Sequence, residues 1–310
     1  MKKKLNIPGG NRDCIMKVSG FTFVKNAVKY GYPVVESIKS ILPLVDEMIV
    51  CLGDSEDETN ALISSIQSGK IKIIHSVWDS SLRENGKVLA VETNKAMDAT
   101  ASDADWLFYI QADEAVHEKY YDAITGAMKK YKDDKNVEGL LFHYHHFYGS
   151  YRFIGDGRRW YSKEIRIIRN NKNIRSFKDA QGFRMQDNSK LKVKMINAYI
   201  YHYGWVRNPI TMFQKYKDFG QHWVAKDEHD EWRKELEEKK SEFDYSEIDS
   251  VTPFKGTHPE VMKELADKED WNFDIDVKKK NFKNVKHRLL YFLWTSFGWR
   301  PFEYSNYKRI

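Results

Sequence analysis

The sequence predicts an α/β fold: a mixed sheet whose N-terminal half is mostly parallel and covered by helices, with antiparallel additions and a helical C-terminal tail. Three observations carry this expectation. Apolar runs of strand length alternate with helix-like segments between residues 14 and 111. After residue 136, longer strand-like runs rich in aromatic and β-branched residues follow, and from Pro209 the chain turns helical and strongly charged.

Taken in order, "CIMKVSGFTFV" (14–24) reads as the first strand and "PVVESIKSILPLV" (33–45) as the first helix. "EMIVCLG" (47–53) is the second strand, followed by "EDETNALISSIQ" (56–67), a helix whose acidic first turn suits the positive end of the helix dipole. "IKIIHSV" (71–77), "GKVLAVETNKAMDAT" (86–100) and "DWLFYIQ" (105–111) continue the alternation as strand, helix, strand. Strands alternating with helices argue for parallel pairing with both faces covered. "VEGLLFHYHHFYG" (137–149), "SKEIRIIRN" (162–170) and "LKVKMINAYIYHYG" (191–204) are expected to join the same sheet with antiparallel partners.

At 310 residues, with 41% hydrophobic and 14% aromatic residues, the chain is long and apolar enough to bury a substantial core. The 51 Lys and Arg against 45 Asp and Glu give a net charge of only +6, spread along the chain, so no nucleic-acid partner is expected. Cys14 and Cys51 fall near opposite ends of neighbouring parallel strands, which argues against a disulfide and for a reducing compartment. "MKKKLNIPGG" is basic but is not followed by an apolar run of secretory type, so a cytoplasmic protein is expected. "LLYFLWTSFGW" (289–299), flanked by His287, Arg288 and Arg300, is the most apolar stretch. It reads either as a C-terminal helix packed on the body or on a second subunit, or as an anchor lying on the inner face of a membrane.

The run from Trp106 to Ile110 suits a strand buried on both faces, yet it leads directly into Asp113 and Glu114. A carboxylate beside apolar surroundings is costly unless it is paired, hydrated or bound to a cation. In open α/β sheets the carboxyl ends of the strands form the ligand crevice. Asn26 after the first strand, Asp54 to Thr59 after the second and Asp113 after the fourth should face that crevice together, where a carboxylate can hold a cation against a phosphate.

Four segments in order, "FTFVKNAVKYGYPVVESIKSILPLVDEMIV", "GDSEDET", "GKVLAVETNKAMDATASDADW" and "LFYIQADE", resemble the nucleotide-sugar-dependent glycosyltransferases of the GT-A fold, family 2 in particular. The resemblance covers residues 14 to about 117 and extends more loosely to about 220. It implies a glycosyltransferase domain over 1–220, with a nucleotide-binding half at about 12–117 and an acceptor half at about 118–220, and a helical extension over 221–310.

The resemblance also implies roles. Phe23, Lys25 and Asn26 would cradle the nucleotide base, with Asp54 and Asp57 of "DSEDET" facing it. Leu52 stands where the family usually has an Asp. "QADE" occupies the place of the Asp-x-Asp motif: Asp113 would coordinate Mg²⁺ or Mn²⁺, and Gln111 replaces the first acid, keeping a hydrogen-bonding group where the donor's ribose or an ordered water is contacted. His202 would complete the metal site. His143 and His145, on one face of a strand, are a rival pair better suited to zinc. An alternative for "QADE" is a solvated turn before a helix starting near Val116, and for "DSEDET" a helix cap.

Sugar transfer to a hydroxyl needs a base. Asp179, beside Gln181, is the candidate, with Asp156 in reserve. Lys87, with Arg83 and Arg207, would meet the phosphates, and the aromatic residues Phe147, Tyr148, Tyr151, Trp160, Tyr161, Tyr203 and Trp205 suggest an acceptor pocket. The expected activity is inverting transfer from a nucleotide diphosphate-sugar to a glycan or lipid-linked acceptor in cell-surface glycan synthesis, by a chain that acts alone or as a homo-oligomer. A retaining transferase, a nucleotidyltransferase or a catalytically silent nucleotide-sugar-binding protein are the alternatives.

Overall fold

The computed structural model describes residues 16–79, 81–82, 86–220 and 226–310; Cys14 and Arg83 lie outside the described residues. Strands β1 (Val18–Val24), β2 (Glu47–Leu52), β3 (Ile71–His75) and β4 (Trp106–Tyr109) run parallel in the spatial order β3-β2-β1-β4. The connecting helices are α1 (Val34–Ile41), α2 (Thr59–Ser64) and α3 (Lys87–Asp98). Because side chains alternate along a strand, β2 feeds two cores. Met48, Val50 and Leu52 pack with Val34, Ile38 and Ile41 of α1, while Ile49 and Cys51 pack with Phe21, Ala96 and Met97 on the α3 side. Cys51 is a free, buried thiol, and burial pushes its pKa up to about 12.

Beyond β4 the sheet turns antiparallel. β5 (Glu114–Val116) and α4 (Tyr121–Tyr131) lead to β6 (Gly139–Tyr148), β7 (Ser150–Gly155) and β8 (Lys163–Arg169), and β8 sits between β4 and β6, antiparallel to both. A small separate sheet pairs β9 (Ile174–Phe177) with β10 (Gly182–Met185). The long β11 (Leu191–Trp205) then runs parallel to β6 and antiparallel to β5. After α5 (Pro209–Phe219) come α6 (Lys226–Lys239), β12 (Val251–Pro253), α7 (Lys263–Asp267), α8 (Val285–Phe297) and β13 (Tyr307–Arg309).

The fold is therefore the mixed, Rossmann-like sheet that the sequence predicts, and the strand order reverses between β1 and β4, where such sheets bind ligands. Three details differ from expectation. Acidic residues 56–58 precede α2 rather than occupying its first turn. The helix expected near Val116 begins at Tyr121, because β11 draws Glu114–Val116 into the sheet. The tail also contributes strands: β12 pairs with β7 and β13 with β11.

Candidate active site

The two adjacent carboxylates after β4 part company. Glu114 is fully buried and bidentate with the guanidinium of Arg166, which donates to it from Nε at 2.8 Å and Nη2 at 2.7 Å. The Tyr144 hydroxyl donates to Glu114 at 2.8 Å and the Gln111 amide N–H at 3.1 Å. Such a pair needs these extra bonds to offset the desolvation of both ions. Asp113 turns the other way. Its carbonyl accepts from the Tyr203 N–H at 2.7 Å, and its carboxylate lies 3.8 Å from His202 Nε2 and 3.6 Å from Lys215 Nζ, on different oxygens. Burial raises the Asp113 carboxyl, but the surrounding positive charge, Lys215 and Arg207 included, outweighs it and holds the group below the ordinary carboxylate range.

His202 reaches this position because β11 is clamped between two partners: residue 202 registers with Glu114 on β5 and with His146 on β6. The hydrogen bonds fix the tautomers. His146 Nε2 donates to the Tyr161 carbonyl at 2.8 Å, and burial keeps His146 neutral, so its Nδ1 carries no proton. That nitrogen accepts from His202 Nδ1 at 3.0 Å. Burial lowers the His202 pKa despite Asp113, so its Nε2 presents a lone pair toward the carboxylate. A lone pair facing a carboxylate is repulsive unless a cation lies between them, and a ring whose far nitrogen is hydrogen-bonded is the usual state of a metal-ligating histidine.

Gly204 borders the same space. A Cβ there would come within 2.5 Å of His202 Nε2 and 3.0 Å of Asp113 Oδ2, so the absence of a side chain keeps the gap open. Two cations line its other side. Lys215 Nζ donates to the Gly204 carbonyl at 3.0 Å, and burial, then Arg207, lowers its pKa to about 7. Arg207 is 3% exposed and donates to the carbonyls of Tyr30 and Gly204, yet its Nη2 has no partner. Asp113 and His202 thus have the chemistry to serve a divalent ion as two of its ligands. Among the described residues no group of three or more His, Cys, Asp or Glu is placed to hold a metal by itself. The rival histidines are elsewhere: His143 and His145 stack on Tyr199 at 4.8 and 4.4 Å, on the opposite face of β6 from His146.

At the ends of β1 and β2, Lys25 Nζ donates to Asp54 at 2.8 Å and lies 5.7 Å from the Trp78 ring, which also meets Phe23 at 5.9 Å. Burial raises the Asp54 pKa, but the Lys25 bond leads the contacts that bring it down overall. Asn26 and Asp57 brace the loops. Asn26 takes φ 53° and accepts from Glu56 N–H at 2.8 Å; Asp57 accepts from Lys29 N–H at 2.7 Å and from Thr59 N–H at 3.0 Å, as a turn and cap do. Lys87 is exposed at the first position of α3, after Gly86 in the left-handed region.

Gln111 spans from this crevice to the β9–β10 loop: its Nε2 donates to the Ala180 carbonyl at 3.2 Å. Asp179 lies between Lys178 (φ 55°) and Ala180 (φ 61°), a pair of left-handed non-glycine residues that the surroundings must hold in place. Burial raises the Asp179 carboxyl above the ordinary range. Glu164, 3% exposed, accepts from Gln181 at 2.9 Å through one oxygen, while the other has no partner; burial, with Asp179 adding to it, raises its pKa to about 8. The reserve candidate Asp156 accepts from Tyr291 Oη at 2.8 Å and from Ser250 Oγ, and so ties β7 to α8.

Of the aromatic group, Phe147, Tyr148 and Tyr203 are core residues, at most 2% exposed. Trp205 instead lines a cleft of about 440 Å³ with Tyr216, Phe219 and Trp232, which opens beside Gly204 and Lys215. His146, Lys215, Glu164 and Trp78 belong to this region although no motif points to them. Strand register brings in His146 and Glu164, the docking of α5 brings in Lys215, and the loop after β3 brings in Trp78.

No family model and no curated protein matches the chain. Solved structures similar to parts of it include 4-diphosphocytidyl-2C-methyl-D-erythritol synthase from Anaerococcus prevotii, at 11% identity and TM-score 0.33, covering 50% of this chain and 72% of that one. Glucosyl-3-phosphoglycerate synthase from Mycobacterium tuberculosis, in complex with Mn²⁺, UDP and phosphoglyceric acid, aligns at 20% identity and TM-score 0.29 over 42% of this chain and 43% of that one. S. aureus TarS 1-349 in complex with UDP aligns at 13% identity and TM-score 0.35 over 71% and 70%.

Proposed function

We propose that this chain is a glycosyltransferase that moves a sugar from a nucleotide diphosphate-sugar to a hydroxyl acceptor, with inversion, in cell-surface glycan synthesis. The observation that carries the proposal is the pairing of Asp113 with an unprotonated His202 Nε2, across a gap bounded by Gly204, at the switch point of the sheet. Asp113 and His202 would hold Mg²⁺ or Mn²⁺, which supplies electrostatic stabilisation to a departing diphosphate. The free donor of Arg207, with Lys215 and Lys87, would meet phosphate oxygens. Phe23, Lys25, Asp54 and Trp78 would receive the base, stacking it and offering a charged rim.

In this scheme Asp179 is the base. Its burial makes the carboxylate a stronger proton acceptor than a solvated one. As the acceptor oxygen bonds to the anomeric carbon, its proton passes to Asp179, and the bond from that carbon to the diphosphate oxygen breaks. Gln111 acts as a positioning residue by holding the Ala180 carbonyl. The cleft beside Trp205 supports a glycan or lipid-linked acceptor, because flat rings suit the apolar faces of sugars. The catalytic unit is proposed to span residues 1–220, with 221–310 as an extension.

Titration calorimetry with UDP and GDP, with and without Mn²⁺, followed by a hydrolysis screen of nucleotide-sugars, tests this. Mn²⁺-dependent nucleotide binding that disappears in Asp113→Ala is the expected result. Equal binding without Mn²⁺, or in the variant, removes Asp113 from its role. Binding with no turnover of any donor points to a silent binding protein, and NMR of the product anomer decides between inversion and retention.

A further inference from the structure

The net charge of the chain is less evenly spread than its composition suggests. Between Asp276 and Glu303 there are seven Lys and Arg and no acidic residue, more positive charge than the +6 of the whole chain. This stretch contains α8, a well-formed helix capped by Asn284, whose side chain accepts from His287 N–H at 3.0 Å, and closed by Gly298 in the left-handed region. One side of α8 faces the body: Tyr291 reaches Asp156, and Leu290, Leu293 and Trp294 are partly covered. Arg300 secures the end by lying 4.8 Å from the Trp294 ring and donating to the Trp160 carbonyl at 2.6 Å.

The other side is uncovered. Val285, Leu289 and Phe292, at i, i+4 and i+7, are 82%, 56% and 54% exposed, and Phe297, Trp299 and Phe302 extend the ridge. Cations flank it on both sides. A cleft of about 700 Å³ is lined by Lys278, Lys280 and Arg288 with no acidic residue, and a second of about 750 Å³ by Arg158, Arg159, Lys283 and Lys286. Only Glu247 and Asp249 oppose the charge of the second cleft.

We propose that this face docks the chain onto an anionic lipid bilayer. The helix lies in the plane of the interface with its apolar ridge at the boundary of headgroups and acyl chains, while the flanking Lys and Arg meet lipid phosphates. This helix lies on the membrane rather than crossing it: α8 is 13 residues long, and among the described residues no helix is long and apolar enough to cross. Charge favours lipid over a second copy of this face, since two copies would set the same acid-free stretch against itself. The proposal stands independently of the transferase reaction.

Co-sedimentation of the full chain with vesicles of phosphatidylcholine alone, or with an equal part of phosphatidylglycerol, tests it. Binding should require the anionic lipid and weaken at high salt. Lys283→Ala/Lys286→Ala/Arg288→Ala should lower the partition coefficient on the order of a hundredfold. Phe292→Ser/Phe297→Ser, both at exposed positions, should lower it by about tenfold or more at unchanged charge and unchanged melting temperature. Absence of binding, equal binding to neutral vesicles, or undiminished binding of both variants would overturn the proposal. So would a chain that ignores vesicles but forms a dimer, by light scattering, that Phe292→Ser dissolves.

Discussion

Replacing Glu164 with Gln should make the protein more stable at pH 8 while changing little near pH 4.5. Glu164 is buried with one oxygen unpartnered, and the nearest cation, Arg166, is committed to Glu114 through two bonds. Burial therefore dominates, and the folded carboxyl keeps its proton up to about pH 8, against 4.5 for an ordinary glutamate. Between those values the folded chain binds more protons than the unfolded one, so this residue's contribution falls as pH rises from 4.5 to about 8 and then levels off. At about 1.4 kcal/mol for each pH unit, the loss reaches roughly 5 kcal/mol. The Gln side chain cannot ionise, and its carbonyl can still accept from Gln181. Asp249, also raised by burial, tilts both proteins the same way, so its contribution cancels in the difference between the two. Urea midpoints followed by tryptophan fluorescence at pH 5, 6.5 and 8 measure it. A gap between variant and parent that is the same at all three pH values would refute the argument, as would a Gln variant that is the less stable at pH 8.

Three further perturbations bear on the same region. Gly204→Ala would place a methyl group against His202 Nε2, and should weaken Mn²⁺-dependent UDP binding by about tenfold or more, with a loss of about 1–3 kcal/mol in urea unfolding from overpacking. His146→Phe removes the acceptor that holds the His202 tautomer, so Mn²⁺ affinity, followed by the electron paramagnetic resonance signal of free Mn²⁺, should fall roughly 10- to 100-fold. Glu114→Ala strands a buried guanidinium and should cost about 3–5 kcal/mol in urea unfolding.

Much of the fold is legible because β1 to β4 carry their own evidence. β1, β2 and β4 are short and buried almost throughout, β3 is a partly exposed edge strand, and β1, β2 and β3 are each followed by a helix, so pattern alone places them. The position of Asp113 at the end of β4 follows from that pattern. What surrounds it does not. His146 and His202 are 56 residues apart and meet only because β11 lies parallel to β6 in one register. A shift of one residue would present His145 instead, and period-2 patterning cannot say which side of "HYHH" faces a partner strand. Lys215 enters from α5, whose docking depends on Asn208 capping the helix and on Tyr32 lying beneath Lys215 and Arg207. Glu164 is hidden for the opposite reason: a glutamate next to a lysine in a strand normally looks solvated, and only the covering β9–β10 loop shows that it is not.

The two acids at the end of the buried strand β4 divide the labour between them. Glu114 is consumed by the fold through Arg166, which leaves Asp113 as the acid exposed to the crevice, and its immediate neighbours ask for opposite things. An unprotonated imidazole nitrogen next to a carboxylate calls for a cation. The unpartnered Nη2 of Arg207 calls for an anion. A carboxylate ligand would answer the second demand and aggravate the first, and a bare metal ion would do the reverse. A divalent cation carrying a diphosphate, as proposed above, would meet both at once, with Asp113 and His202 to hold the metal and Arg207 to meet phosphate oxygens. That conjunction, at the point where the strand order reverses, favours a nucleotide diphosphate donor over ligands of a single charge sign.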